Sequence, residues 1–325
     1  VYRIYERDSS TTRVAKQGWG LDAHNSNITV SGGQDAQAAG DDYFFTFQKS
    51  YGGVRLSNSK LQGGFERTDY AAETSGGSFS PIHNTGYGIK AVNSEIDLVG
   101  LVDLYNNYNG IELVNSDMRF QQLCVESTNK VGLRAIGSNV VWDGGKSYGE
   151  AGQQTRKQVD FLQNGQNIVL QKGSRMTFEH ETNIPDIYGH TSITSAIGRL
   201  DLSGTTQASP SIVVEGNSKA KLLHTQMDVR GQYSTHLESG QAIFGLAAKV
   251  SDNSELDFYG TGSGCTLIAG VSSFNYQQKV AGLYADNGSK IGLHGPTTIC
   301  QFGVDVLVDN NSVLDMCPPK DELSN

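Results

Sequence analysis

Two carboxylates stand at matching places in the sequence and could do acid–base chemistry. Asp143 follows Ser138 by five residues, and Glu179 follows Ser174 by five residues. If these positions face outward on neighbouring strands, the two carboxyl groups would lie roughly 5 Å apart, near the separation of the acid and the nucleophile in a retaining glycosidase. Solvated carboxylates on a strand surface are the simpler interpretation, so catalysis by this pair is kept as the alternative.

A second set of candidates would bind a ligand. His180 and His224 each come six residues after the serine of a similar stretch, where five other stretches have glycine. Long polar passages of the chain also contain tyrosines. Such passages on a rigid scaffold are common places for binding residues, although they would equally suit solvated surface or subunit contacts. The ligand-binding candidates are His180, His224, Tyr148, Tyr188 and Tyr233.

The motifs of several common cofactor and metal sites are missing from the sequence. It contains no complete phosphate-binding loop, no Gly-x-Gly-x-x-Gly after a strand and no His-Glu-x-x-His. It also has no Cys-x-x-Cys or His-x-x-x-His spacing for zinc. We therefore expect no metal and no cofactor, and we interpret Asp97, Asp257 and Asp315 as solvated outer surface.

One short pattern recurs ten times, and the elements that would position these candidates are built from it. The pattern is Asn or Gly, then Ser, a variable residue, an apolar residue, another variable residue and a second residue that is apolar in nine of the ten copies. The serines of the ten copies are Ser26, Ser59, Ser94, Ser116, Ser138, Ser174, Ser218, Ser254, Ser289 and Ser312.

Each part of the repeat has a physical reason. Asn and Gly enter the left-handed backbone region at low cost, so they predict a turn. The serine hydroxyl can bond to nearby backbone groups and help to close that turn. Apolar residues two positions apart predict a short strand with one face in the core. Phe120, Trp142 and Phe178 share one of these positions, which predicts an internal aromatic stack.

The spacing of the copies predicts how the strands stack. The interval from Ser94 to Ser116 equals the interval from Ser116 to Ser138, and its short length suits one coil of a parallel β-helix. The longer intervals suit a coil with an insertion, or two shorter coils with an unrecognised turn. We predict an all-β chain that forms a right-handed parallel β-helix of roughly ten coils with lateral loop insertions. Coils about 4.8 Å apart would make a rod near 50 Å long.

The repeat also predicts three segments. Residues 1–24 lack the pattern and are expected to be an N-terminal cap or connector, residues 25–317 the parallel β-helix, and residues 318–325 a C-terminal tail. Cys265 and Cys300 stand equally far after a repeat serine, Ser254 for the first and Ser289 for the second. This equal spacing predicts that the two sulfurs stack on neighbouring coils, either as small core residues or as a disulfide.

Composition excludes several classes of function. The 325 residues include 39 glycines and 6 prolines, with 18% charged residues, which is typical of a turn-rich β protein. A net charge of −9 argues against a nucleic-acid partner. No run of about 20 apolar residues is present, so no membrane insertion is expected.

The repeated turn, the Gly-apolar-x-apolar strands that precede it and the glycine-rich, weakly charged insertions resemble the right-handed β-helix proteins of bacteriophage tails. Gly88-Ile-Lys-Ala-Val and Gly110-Ile-Glu-Leu-Val are examples of these preceding strands. The resemblance covers roughly residues 26–316 of this chain. The proteins that it resembles are tailspikes, tail fibres and baseplate-attached fibre proteins.

This resemblance implies a non-catalytic structural and host-attachment component of a virion, located outside the cell. Its implied partners are other tail or baseplate proteins and a host surface glycan, and a homo-oligomer such as a trimer is expected. The alternatives are a polysaccharide-degrading tailspike, a glycoside hydrolase for which Asp143 and Glu179 would imitate the carboxylates, and a bacterial surface adhesin that shares the fold.

Overall fold

The computed structural model describes residues 18–31, 43–48, 51–64, 78–82, 86–126, 128, 130–143, 159–162, 164–179, 200–201, 210–223, 225–229, 246–259, 266–270, 281–300 and 302–316. These residues form 27 β-strands, and the described part of the chain contains no helix. In particular, it has no helix that is long and apolar enough to cross a membrane.

The strands are short, and most of them have four to six residues. In chain order they are β1 (Trp19–His24), β2 (Asn27–Ser31), β3 (Tyr43–Gln48), β4 (Gly52–Ser57), β5 (Lys60–Gly64), β6 (Ser78–Ile82), β7 (Tyr87–Val92), β8 (Glu95–Tyr105), β9 (Asn109–Val114), β10 (Asp117–Glu126), β11 (Val131–Ile136), β12 (Asn139–Asp143), β13 (Val159–Leu162), β14 (Gln166–Gln171), β15 (Arg175–Glu179), β16 (Leu200–Asp201), β17 (Ile212–Val214), β18 (Lys219–Leu223), β19 (Thr225–Val229), β20 (Ala248–Val250), β21 (Glu255–Tyr259), β22 (Thr266–Gly270), β23 (Ala281–Ala285), β24 (Lys290–His294), β25 (Thr297–Cys300), β26 (Val304–Val308) and β27 (Val313–Asp315).

Two long parallel sheets of ten strands each dominate the architecture. The first sheet has the order β1, β4, β7, β9, β11, β14, β17, β20, β23 and β26. The second sheet contains the strands that follow the repeat serines, in the order β2, β5, β8, β10, β12, β15, β18, β21, β24 and β27. The chain is thus all-β with long parallel sheets, an arrangement consistent with a parallel β-helix.

A third row of parallel strands accompanies these sheets, in the order β3, β6, β8, β10, β13, β16, β19, β22 and β25. The strands β8 and β10 are 11 and 10 residues long and belong to both the second sheet and the third row. They carry the chain from one to the other without a break, except for a register shift between Phe120 and Gln122.

The predicted turn is present in every copy of the repeat. All ten residues before the serines have positive φ, between 47° and 76°, which Asn and Gly tolerate best. They are Asn25, Asn58, Asn93, Asn115, Gly137, Gly173, Asn217, Asn253, Gly288 and Asn311.

Each serine also joins its own turn to a neighbouring copy. The Oγ of Ser116 donates to the carbonyl oxygen of Val114 at 2.8 Å, as the sequence predicted, and accepts a bond from the backbone N–H of Ser94 at 3.0 Å. The same N–H to Oγ bond connects every successive pair of repeat serines, at 3.0 to 3.2 Å. We call this continuous row the serine ladder. Repeat spacing alone did not predict these bonds between copies.

Strand pairing explains the unequal intervals between serines. Arg175 pairs with Lys219, although 44 residues separate Ser174 from Ser218. Each of the other intervals is likewise spanned by directly paired strands of the second sheet. The longer intervals therefore hold insertions between neighbouring strands, and the alternative of an additional unrecognised copy in the second sheet is wrong.

The apolar positions of the repeat form the core. Ile96, Met118 and Val140 are paired in register and buried. The aromatic position is also shared as predicted, because Phe120 pairs with Trp142 and Trp142 with Phe178. Phe120 and Trp142 are buried. The first and last copies are less well covered, since Ile28, Val30 and Leu314 are half-buried and Met316 is 69% exposed.

The register opposite Cys300 differs from the one that equal spacing predicted. Cys300 pairs with Ala269, and Thr297 pairs with Thr266. The chain from Ser254 to Thr266 is longer than the chain from Ser289 to Thr297, so equal distances from the serines do not give equal positions beyond the turn. Cys300 is half-buried and is a free cysteine.

The first sheet begins within the predicted N-terminal segment, because β1 already pairs with β4. The limits of the three predicted segments stay predictions, and Cys265 and the predicted tail at 318–325 lie outside the described residues.

Candidate functional site

The predicted carboxylate pair occupies neighbouring strands. Asp143 ends β12 and Glu179 ends β15, and their backbones pair in register. Neighbouring strands lie about 4.8 Å apart, so the backbone spacing is the one that the acid–base hypothesis requires. The side chains of both residues lie outside what the structure describes, and catalysis by the pair stays a prediction.

The other predicted site residues fall outside the described part of the chain. They are His180, His224, Tyr148, Tyr188 and Tyr233. A match to the Gly-x-Ser-x-Gly pattern, residues 145–149, lies there as well and was not singled out from the sequence. Such a serine acts as a nucleophile when it stands on a strand-to-helix turn, and the strand β12 does precede it.

Further along the second sheet, a cluster of polar side chains occupies the outward positions of the strands. On β18, β21 and β24, the position of Asp143 and Glu179 is held by Leu223, Tyr259 and His294, which pair in register. Two residues earlier on the same strands stand Lys221, Asp257 and Gly292. We call Asp257, Tyr259, Lys290 and His294 the outer cluster.

The outer cluster is far less accessible than strand alternation predicts. Asp257 is 4% exposed, Tyr259 6% and His294 8%, although all three stand at outward positions. The interpretation of Asp257 as solvated surface is therefore wrong. Asp97 and Asp315 are half-buried.

Gly292 makes room for the contact between the acid and the imidazole. Nε2 of His294 lies 3.3 Å from Oδ1 of Asp257. Gly292 pairs with Asp257, and a methyl group on Gly292 would overlap both of these atoms. A glycine inside a strand often marks such a close approach, so this position was a readable signal in the sequence. The ring of Tyr259 stacks on His294 with 4.8 Å between centroids.

Lys290 lies close to three carboxyl groups. Its Nζ lies 3.2 Å from Oε1 of Glu255, 3.3 Å from Oδ2 of Asp315 and 3.9 Å from Oδ1 of Asp257. Burial opposes the charge of Lys290, but its hydrogen bond to Glu255 and the negative charge of Asp257 raise its pKa above the ordinary value. Lys290 is therefore held as a cation at the centre of this acidic group.

The pKa values of the two acids on β21, Glu255 and Asp257, are shifted in opposite directions. Burial raises the pKa of Asp257, and the charge of Glu255 adds to this effect, while Lys290 and His294 oppose it. Burial would also raise the pKa of Glu255, but hydrogen bonds from Lys219 and Lys290 outweigh it and lower that pKa. The surroundings thus favour the protonated form of Asp257 more than water does, and the ionised form of Glu255 more than water does.

The outer cluster brings a carboxyl group and an imidazole into contact at a position that is largely shielded from solvent. Perturbed acids of this kind mark functional sites and structural ion-pair networks alike. Among the described residues, no group of three or more His, Cys, Asp and Glu side chains is arranged to hold a metal ion.

No protein-family model matches the chain, and comparisons with curated proteins and with solved structures found no match either.

Proposed function

We propose that the chain is a right-handed parallel β-helix of roughly ten coils that serves as a non-catalytic structural and host-attachment component of a bacteriophage tail. The proposal extends to a location in the virion, to other tail or baseplate proteins as partners, and to a homo-oligomer such as a trimer. Lateral segments would contact those partners or a host surface glycan.

The observation that carries the proposal is the unbroken serine ladder. It continues with bonds of 3.0 to 3.1 Å across intervals of 22 residues and of 44 residues alike. Insertions of very different length therefore leave the backbone of the second sheet in the same register. This separation of a constant scaffold from variable lateral segments suits a protein that must keep its shape while it presents a binding surface.

The scaffold is also suited to mechanical load. Throughout the described residues, strands of one copy pair with strands of the neighbouring copies, so many parallel hydrogen bonds and a continuous apolar core join each layer to the next. Local opening at one layer must break all of these contacts together, which resists local unfolding. A stiff scaffold of this kind suits attachment better than it suits an enzyme that closes a mobile lid over its substrate.

The proposal is tested by asking whether the chain binds a bacterial surface polysaccharide without cleaving it. The purified chain is incubated with capsular polysaccharide or lipopolysaccharide from candidate bacterial hosts, and bound polysaccharide and new reducing ends are both measured. We expect binding that weakens in Tyr148→Ala, Tyr188→Ala or Tyr233→Ala, with no new reducing ends. Tyr105→Ala is the matched control, because Tyr105 is exposed on the described strand β8. Binding unaffected by all three substitutions would overturn the assignment of the lateral tyrosines.

Polysaccharide cleavage is the second candidate, and the register of Asp143 with Glu179 is what favours it. If the pair is catalytic, Asp143→Asn or Glu179→Gln abolishes the release of reducing ends, while Asp117→Asn leaves it unchanged. Asp117 is a suitable control because it is exposed and stands in the same sheet, on β10. Robust cleavage that depends on the pair would replace the non-catalytic proposal.

A further inference from the structure

The last strands of the two long sheets present an open edge. β26 pairs with β23, and β27 pairs with β24. In the described part of the chain, no strand pairs with the other side of β26 or β27. We call residues 302–316 the C-terminal edge. Its outer backbone N–H and C=O groups face no strand among the described residues, and such an edge is a template for another strand.

Apolar side chains concentrate at the C-terminal edge. Val304, Leu307, Val313 and Met316 are four of the six exposed large apolar residues in the described part of the chain. Inward residues are also incompletely covered there. Leu283 and Ile291 are fully buried, whereas their register partners Val306 and Leu314 are only half-buried. The edge therefore lacks one layer of apolar contact.

The charge of the C-terminal edge has a single sign. Residues 302–316 include Asp305, Asp309 and Asp315 and contain no Lys, Arg or His. Asp305 and Asp309 are exposed, while Asp315 contacts Lys290. Two such edges would repel each other, which disfavours an interface between two C-terminal ends. The edge instead fits a strand-forming segment with an excess of positive charge.

The segment that precedes β1, residues 1–17, has this chemistry. It carries Arg3, Arg7, Arg13 and Lys16 against Glu6 and Asp8, a net charge of +2 in a chain whose total is −9. Its opening residues, Val-Tyr-Arg-Ile-Tyr, are rich in the β-branched and aromatic types that favour strands. The strand that follows it, β1, is at the opposite end of the first sheet from β26.

We propose that residues 1–17 of a second copy pair with the C-terminal edge and join two molecules head to tail. The added strand bonds to the outer backbone groups of β26 or β27, beside which the described residues place no other strand, and covers Val313 and Met316. Its basic side chains lie beside Asp305 and Asp309. Because the two surfaces differ, the contact is heterologous and can be repeated along a row of molecules.

Cross-linking of isotopically mixed protein tests the proposal directly. Equal amounts of ¹⁴N and ¹⁵N chains are mixed and treated with a carbodiimide, which joins a lysine or the N-terminal amine to a carboxylate without a spacer. We expect mixed-isotope peptide pairs that join residues 1–17 to residues 302–316. Pairs of these regions found only within one isotope would mean that the contact is within a chain, and would overturn the proposal.

Sedimentation velocity of the full chain provides the second readout. We expect association that weakens about tenfold when Asp305→Lys and Asp309→Lys are combined, since charge reversal opposes the contact. Asp117→Lys, an exposed substitution far from the edge, leaves association unchanged. Adding Arg3→Glu and Arg7→Glu to the edge variant restores association. A chain that is monomeric throughout, or whose association ignores the edge variant, contradicts the proposal.

Discussion

The interior of the repeat and the outer cluster are held together in different ways. In the interior, one set of bonds occurs again and again, as in the paired serines Ser94 and Ser116. In the outer cluster, by contrast, Asp257, His294 and Gly292 make contacts that the described copies do not repeat. Changes in the interior should therefore weaken the whole stack, whereas changes in the outer cluster should act locally and depend on pH.

The largest effect is expected from truncation of an interior side chain. Phe120 is fully buried between its register partners, so Phe120→Ala should lower the free energy of unfolding by about 3–5 kcal/mol. Urea denaturation followed by circular dichroism measures this loss. Tyr105→Ala, which truncates an aromatic ring that is 37% exposed on β8, should lower the free energy of unfolding by less than Phe120→Ala does. Similar losses in both variants would contradict the burial of this layer.

A smaller effect is expected from the serine ladder. Ser116→Ala removes the acceptor of the buried Ser94 N–H and should destabilise the fold by about 1–3 kcal/mol. Ser26→Ala is the matched control, because Ser26 is exposed, its Oγ donates to the carbonyl oxygen of His24, and no other repeat serine among the described residues donates to that Oγ. The same urea experiment compares the two. Equal destabilisation by both would show that the bonds between copies contribute nothing measurable.

The difference between these regions also explains what the sequence could predict. The left-handed turn and the alternating core depend on residues within one copy, so Asn93, Ser94 and Ile96 are sufficient to predict them. Burial of Asp257 depends on a partner 37 residues away in the chain, His294, and on the missing side chain of Gly292. Registers beyond a turn depend on the length of that turn, which is why Cys265 and Cys300 could not be paired by counting.

The third prediction tests the space above Gly292. A methyl group at this position would displace Asp257 and His294, so Gly292→Ala should destabilise the fold by about 1–2 kcal/mol. A double-mutant cycle with Asp257→Ala isolates the cause, because removal of the carboxyl group opens the space that the methyl group needs. The double variant should therefore lose less stability than the sum of the two single losses. Additive losses would mean that the overlap is relieved elsewhere.

The smallest effect is expected from the ionisation of Asp257, because Lys290 and His294 offset part of the increase in its pKa that burial causes. A carboxyl group whose folded-state pKa lies above its ordinary value of 3.8 keeps its proton longer in the folded state than in the unfolded state. Its contribution to stability therefore falls as the pH rises from 3.8 through the folded-state pKa. Asp257→Asn removes this penalty, so the variant should gain stability relative to the parent chain over that window.

Glu255 gives the comparison of opposite sign on the same strand. Its folded-state pKa is lowered from 4.5, so its contribution is present above that value and is lost as the pH falls through the folded-state pKa. Glu255→Gln should therefore cost most at neutral pH and progressively less below pH 4.5. Urea midpoints of Asp257→Asn and Glu255→Gln, measured across the acid range, test whether the two substitutions depend on pH in opposite ways. Parallel curves for the two variants would mean that the outer cluster does not distinguish its two acids, and that its burial has no electrostatic consequence.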